Sequence, residues 1–442
     1  MERFFKIVVL ALFLFCPASA LFAQGPEAAW NILDQEALEL YRAGNYGRAA
    51  EASEKALQAA KKKFGPGHLS VSGIMNNLAE IYYAQGQFGQ AEALYKRSLA
   101  IRQKTLGPEH PFVAGTLNNL ALLHRTQGRY DEAESGFKRA LAICRSVLEP
   151  NNALSAGIMS NLGELYAVQG QHGQAETLYR QSLAIRKKAL GSEHSLVAAS
   201  LNNLAELHRS RGRYNEAESL FKQSLAMREK TLGLNHPDTA ASLSSLARLY
   251  SAQGEHVQAE TLYRHALTTY RKALGPDHPD TAACLNNLAE LYLSQGRYDQ
   301  AESLFKHSLA IYRSALGPDH PDTAACLNNL AELHRSQGRY DEAESRYKLS
   351  LAMREKSLGH DHPDVAASLN NLAELYRSQG QYEKAEPLFK KSLSIYKKAL
   401  GSNHPFVAMS LENLALLYKA EDRVQEADGL TKQAKRIRSS KQ

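Results

Sequence analysis

Cysteine is scarce, four in 442 residues, which excludes a disulfide-stapled scaffold. Blocks of like charge are missing as well. The 53 basic and 46 acidic residues are spread evenly, and a net charge of +7 leaves no basic tract of the kind that grips nucleic acid. No stretch alternates apolar and polar residues as a half-buried strand would, so strands are not expected. Phosphate-loop, nucleophile-elbow and zinc patterns are absent, and no non-repetitive stretch is long enough to hold a catalytic domain. The sequence therefore predicts neither an enzyme nor a cofactor or metal site. At 44% hydrophobic and 22% charged residues, intrinsic disorder and a polytopic membrane protein are both excluded.

The one long apolar run stands at the N-terminus. Arg3 and Lys6 flank the start of Ile7 to Phe15, and Ala18-Ser19-Ala20, or Ala23 before Gln24, supplies a small-residue cleavage site. This layout predicts a signal peptide over residues 1–23 and an exported chain, periplasmic or extracellular, from 24 to 442. The run is too short to span a bilayer stably; an N-terminal anchor is the alternative. Export favours disulfides, yet the mature chain would keep Cys144, Cys284 and Cys326, an odd number. The last two occupy equivalent positions one repeat apart, beyond the roughly 7 Å reach of a bridge. All three read as small buried hydrophobes.

What the chain has in abundance is repetition. Asn286-Asn287 returns as Asn328-Asn329 and Asn370-Asn371. Earlier it is Asn76-Asn77, Asn118-Asn119, Ser160-Asn161, Asn202-Asn203 and Ser244-Ser245, and later Glu412-Asn413. Every step is 42 residues, without insertion or deletion across nine copies. A degenerate tenth copy comes first, where Gly44 and Ala49 match Gly86 and Ala91. Each copy reads as two helices. In one, Pro279 and Asp280 start a helix, Cys284, Leu285, Leu288, Ala289 and Tyr292 follow at helical spacing, and Gly296 ends it. A second helix runs from about Asp299 to Ala315, stopped by Leu316-Gly317-Pro318. One copy buries too few apolar side chains to offset the ordering of its residues. The copies must stack into one continuous solenoid without separate domains. Its ends are capped by the imperfect pair around Ile32 to Ala60 and by the charged helix near Gln425 to Arg438, where Asp422 replaces the turn glycine.

The pattern Leu285, Leu288, Ala289, Tyr292, Gly296, Tyr298, Ala301, Phe305, Ser308 resembles the tetratricopeptide repeat, with leucine in place of the common tryptophan. The 42-residue period, the Asn-Asn-Leu-Ala run and the Leu-Gly-Pro-Asp-His-Pro linker resemble the repeats of kinesin light chains in particular. The resemblance covers about residues 35 to 430. It implies an all-α fold, a right-handed superhelical solenoid of about ten helical hairpins, and a protein-binding role. Kinesin light chains carry a heptad coiled coil before their repeats; no heptad run is present here, so only the binding mode is carried over.

In such repeats the first helix of each pair lines the concave face. That places Ala283, Asn286, Asn287, Glu290, Leu293, Ser294 and their counterparts towards a ligand. The apolar face agrees: Leu285, Leu288 and Tyr292 point into the stack and turn the polar positions the other way. Asn occupies the 287 position in eight of nine copies: Asn77, Asn119, Asn161, Asn203, Asn287, Asn329, Asn371 and Asn413. An amide offers donor and acceptor together, so this ladder suits the backbone of an extended peptide. The competing reading is that the amides bond between neighbouring helices and hold the repeats in register. Arg125, Arg209, Arg335 and Arg377 at the 293 position are candidates for charge matching, or simply pair with Glu206, Glu332 and Glu374 three residues before the last three of them. Ser244, Ser245 and Arg248 interrupt the ladder, which suggests a change of ligand register.

Eight of the 16 histidines lie in the linkers and three more, His124, His208 and His334, replace the helix tyrosine. The repeat explains them, and their spacing scatters them along the rod; the linker histidine is expected to order the turn before the proline. Tyr95, Phe137, Tyr179 and Phe221 recur at one buried site and are core, not base-stacking platforms. The sequence thus predicts a scaffold binding an extended peptide segment of a partner protein, with no nucleic-acid partner and no stable membrane insertion after cleavage. The alternative is a structural spacer or self-assembling component of a cell-envelope complex.

Overall fold

A computed structural model describes residues 29–149 and 152–439. The proposed signal segment lies outside them. Among the described residues, twenty helices form ten hairpins and no strand occurs. The first hairpin pairs Ala29–Arg42 with Tyr46–Phe64, and the tenth pairs Pro405–Ala420 with Val424–Ser439. Each helix packs on its hairpin partner and then on the next hairpin.

Local chemistry fixes the hairpin ends. In the seventh hairpin, Pro279–Ser294 and Tyr298–Ala315, Pro279 fills the first helical position, where its missing N–H costs nothing. His278 is the N-cap. Its Nδ1 accepts from the Asp280 N–H at 3.0 Å, so this nitrogen carries no proton. His110, His194, His236 and His362 cap their helices in the same way. Asn152 does so for the fourth hairpin, with Oδ1 2.7 Å from the Leu154 N–H. The turn between the helices needs a residue with positive φ. Gly296 supplies it at 72°, and Asp422 adopts 59° in its place in the last hairpin.

Leu285, Leu288, Ala289 and Tyr292 are buried against Ala301 and Phe305, both fully enclosed. Two polar devices join successive hairpins. Arg102, Arg186, Arg228 and Arg354 are buried on second helices; each Nη1 reaches a backbone carbonyl and the hydroxyl of Thr116, Ser200, Ser242 or Ser368 on the following first helix. Where Tyr270 and Tyr312 stand at the arginine position, Cys284 and Cys326 stand at the hydroxyl position and donate to the Tyr263 and Phe305 carbonyls. Cys144, Cys284 and Cys326 are all buried. The helix tyrosines donate backwards: Tyr166 to Glu134, Tyr292 to Glu260 and Tyr418 to Glu386, each at 2.8 Å.

The rod also touches itself. Gly44, Gly86 and Gly128, in the turns of the first three hairpins, lie against His278-Pro279, His320-Pro321 and His362-Pro363. The step is 234 residues each time, so one superhelical turn rests on the previous one after about six hairpins. The histidines bridge this seam with their second nitrogen. Nε2 of His404 lies 3.0 Å from the Val168 carbonyl, and His278 and His362 engage the backbone at Arg42 and Thr126. With Nδ1 committed as an acceptor, Nε2 must be the protonated donor.

Candidate interaction groove

The first helices turn Asn, Glu and Arg away from the packed face, and these side chains form one inward row. The amides meet between hairpins. Nδ2 of Asn161, Asn329, Asn371 and Asn413 donates to Oδ1 of Asn118, Asn286, Asn328 and Asn370 of the preceding hairpin, at 2.8, 3.3, 3.1 and 2.9 Å. Asn77 donates to Asp34, the counterpart of these acceptors in the first hairpin, at 3.2 Å. Asn119 accepts from its neighbour Asn118 at 3.2 Å. Five of the eight predicted amides therefore spend their N–H groups on register. The amide oxygens of Asn76, Asn202 and Asn203 are buried with no hydrogen-bond partner.

The arginines are engaged as well. Arg209, Arg335 and Arg377 pair with the Glu three residues before them, at 2.9, 2.5 and 2.7 Å. Arg125 reaches Glu164 of the following hairpin. Arg248 explains the interrupted ladder: it reaches back to Glu206, which also holds Arg209. Burial alone would raise the Glu206 carboxyl; Arg248 and Arg209 hold it below its ordinary value. At the N-terminal end the balance is reversed. Burial pushes Glu80 up to about 7, with Tyr41 and Tyr95 nearby and no cation to offset it. Asp34 rises to about 6 through burial, tempered by its bond from Asn77. Beside this row, a side chain on Gly73 would meet nothing within 4 Å, so the wall there is open.

Sequence reading missed the histidine seam and the buried arginine staples. The staples had a visible signal in the matched exchange of Arg with Tyr and Ser with Cys at positions 14 residues apart. No group of three or more metal-ligating side chains gathers among the described residues. None of the described helices is long and apolar enough to cross a membrane.

A stacked array of hairpins with a continuous polar inner face defines a protein-interaction scaffold. The chain belongs to the tetratricopeptide repeat family, whose model matches it in overlapping segments from 32–104 to 364–440; its repeats are of the kinesin light chain type. Among solved structures, it is similar to the nearly identical TPR-like repeats of a putative kinesin light chain from Podosopora anserina, at 31% identity over 47% of this chain and 98% of that one, TM-score 0.39. BtubC (BKLC) from P. vanneervenii is 26% identical over 52% of this chain and 91% of that one, TM-score 0.42. A Rap protein complexed with Competence and Sporulation Factor aligns over 94% of this chain and 99% of its own, at 15% identity and TM-score 0.54, a likeness of fold. No curated protein matches the chain.

Proposed function

We propose that the solenoid holds an extended segment of a partner protein along its inner face. The observation that carries this reading is the row of part-buried amides at Asn287, Asn329, Asn371 and Asn413, which the apolar face of the first helices turns inward. The register bonds do not oppose this role, because they use the nitrogen and leave oxygen lone pairs free. A photo-crosslinking residue placed at Ala241 or Ala283 on the inner row should capture a polypeptide in the native setting, whereas one at exposed Lys306 on an outer helix should not. Asn287→Ala with Asn329→Ala should cut the inner capture about tenfold, as the loss of two weak hydrogen bonds requires. Equal capture from both faces would sink the reading.

Export belongs to the same proposal. A cleaved leader over residues 1–23 places the scaffold in the periplasm or outside the cell. N-terminal sequencing of the protein from its native source should start at Leu21 or Gln24; a chain that still begins at Met1 refutes cleavage. A second reading, a spacer or self-assembling component of a cell-envelope complex, is favoured by the unpaired edges of the solenoid.

A further inference from the structure

The seam uses only part of what the repeat offers. Turns of hairpins one to four meet linkers of hairpins seven to ten. Two runs of identical chemistry remain without a counterpart. On one edge, the linkers before hairpins two, three, five and six present His68, His110, His194 and His236, whose Nε2 atoms meet no partner. Asn152 holds that place before the fourth hairpin. The side chain of His236 is 39% exposed, against 7% for His278 and 9% for His320 in the seam. On the other edge stand the turns at Gly254, Gly296, Gly338, Gly380 and Asp422. The carbonyls just before them, at Ala252, Ser294, Ser336, Ser378 and Ala420, accept no backbone hydrogen bond. Their counterparts at Arg42, Thr126 and Val168 are the ones the seam histidines engage.

The apolar part of the contact is split in the same way. Phe88 and Tyr130 open the second helices of two seam hairpins and are 5% and 8% exposed. At the same position on the free edge, Tyr340 is 37% and Val424 56% exposed.

We propose that these edges join head to tail, so that a second copy of the chain continues the tube through the contact the chain already makes with itself. The register follows from the internal step of six hairpins. Gly254 would receive His68 of a second copy, Gly296 its His110, Gly338 its Asn152, Gly380 its His194 and Asp422 its His236. Five turns meet five linkers, one more than the seam itself contains. The two surfaces are different, so the contact is heterologous and does not close: it repeats along the axis and builds a filament. The seam joins turn to linker and never turn to turn, which sets this polarity over head-to-head pairing.

Sedimentation velocity of the chain without residues 1–23, across a wide concentration series, together with electron microscopy, tests this. The expected result is a ladder of multiples growing with concentration and rods of uniform width. Ser294→Arg with Ser378→Arg places two long cations on the exposed turn edge, outside the hairpins whose turns make the seam and at helix C-termini that tolerate them. This variant should sediment as a single copy at every concentration, with helix content unchanged. His110→Asn with His194→Asn keeps both caps and removes two Nε2–H donors, and should shorten the rods. A native chain that stays a single copy throughout overturns the proposal. So does a Ser294→Arg, Ser378→Arg chain that assembles like the native one.

Discussion

Replacing Glu206 by leucine is expected to destabilise the fifth and sixth hairpins by about 3 kcal/mol, the low end of the range for breaking a buried ion pair. Glu206 is 1% exposed and is shared by Arg209 and Arg248. Removing it takes their shared anion from two partly buried guanidinium groups, and the weaker compensation of their desolvation is the cost. Leucine is otherwise well suited to the site, since Leu122 and Leu416 occupy the same repeat position. Arg248→Leu should cost less, because Arg209 remains to balance Glu206. Combining the two should be far from additive, as residues sharing one network couple by about 0.5–3 kcal/mol. Hydrogen exchange resolved to Ser195–Ser210 and Pro237–Gln253 is the measurement of choice, because repeat arrays lose stability locally. Strict additivity would show that the three charges do not act as a unit.

That cluster also marks how far the sequence could be read. Proline, glycine and histidine punctuate every copy, so the hairpins were legible: the helix expected from about Asp299 to Ala315 is Tyr298–Ala315. The inner row was legible as a row, because Leu285, Leu288 and Tyr292 leave Asn286 and Asn287 only one direction to face. Which partner each amide would take was not legible. An amide fits a neighbouring amide and a peptide equally well, and the choice depends on the spacing of adjacent hairpins. Arg248 looked like a break in a ligand-reading ladder; its reach to Glu206 emerges only when residues one repeat apart are placed side by side. The seam was further out of reach. It depends on the superhelical pitch, which accumulates from a small rotation per hairpin and leaves no local mark at Gly44 or His278. The same His caps a helix and nothing more at His236, and caps a helix while bridging two turns at His278.

Exchanging His278, His320, His362 and His404 for asparagine together should open the seam while leaving the helices formed. Asparagine is a good N-cap, and Asn152 already performs that role in this chain; what it lacks is the far donor. Losing the cross-turn hydrogen bonds of His278, His362 and His404 removes about 3 kcal/mol of turn-to-turn attraction. Small-angle scattering should record a larger radius of gyration at unchanged circular dichroism. Gly128→Ala checks the contact by another route: its methyl would meet His362 Cδ2 at 3.0 Å, whereas Gly338→Ala, at nearly the same positive φ, meets open space. Both pay for the left-handed backbone, about 1–2 kcal/mol, and only the first should expand the molecule. Acid should loosen the same seam from the capping side. Burial lowers the His278 and His362 imidazoles below 6.5, against Asp280 beside the first and Asp364 beside the second, with Arg354 adding to the depression at His362. The unfolded histidines bind protons first as pH falls, so the seam's contribution is complete above about 6.5 and shrinks below it. A protonated ring cannot accept the capping N–H, so the linker loses its cap and a buried charge is left in the seam, although Nε2 keeps its proton. The native chain should therefore expand between neutral pH and pH 5, and the four-asparagine chain should expand less over the same interval. His110, Asp34 and Glu80 titrate in both chains and cancel in the comparison. Because the seam joins one turn to the next, it also closes the sides of the inner groove. A partner segment then enters along the axis, and a pH-dependent rate of capture at Ala283 in the native chain but not in the asparagine chain would place the seam on the path of entry.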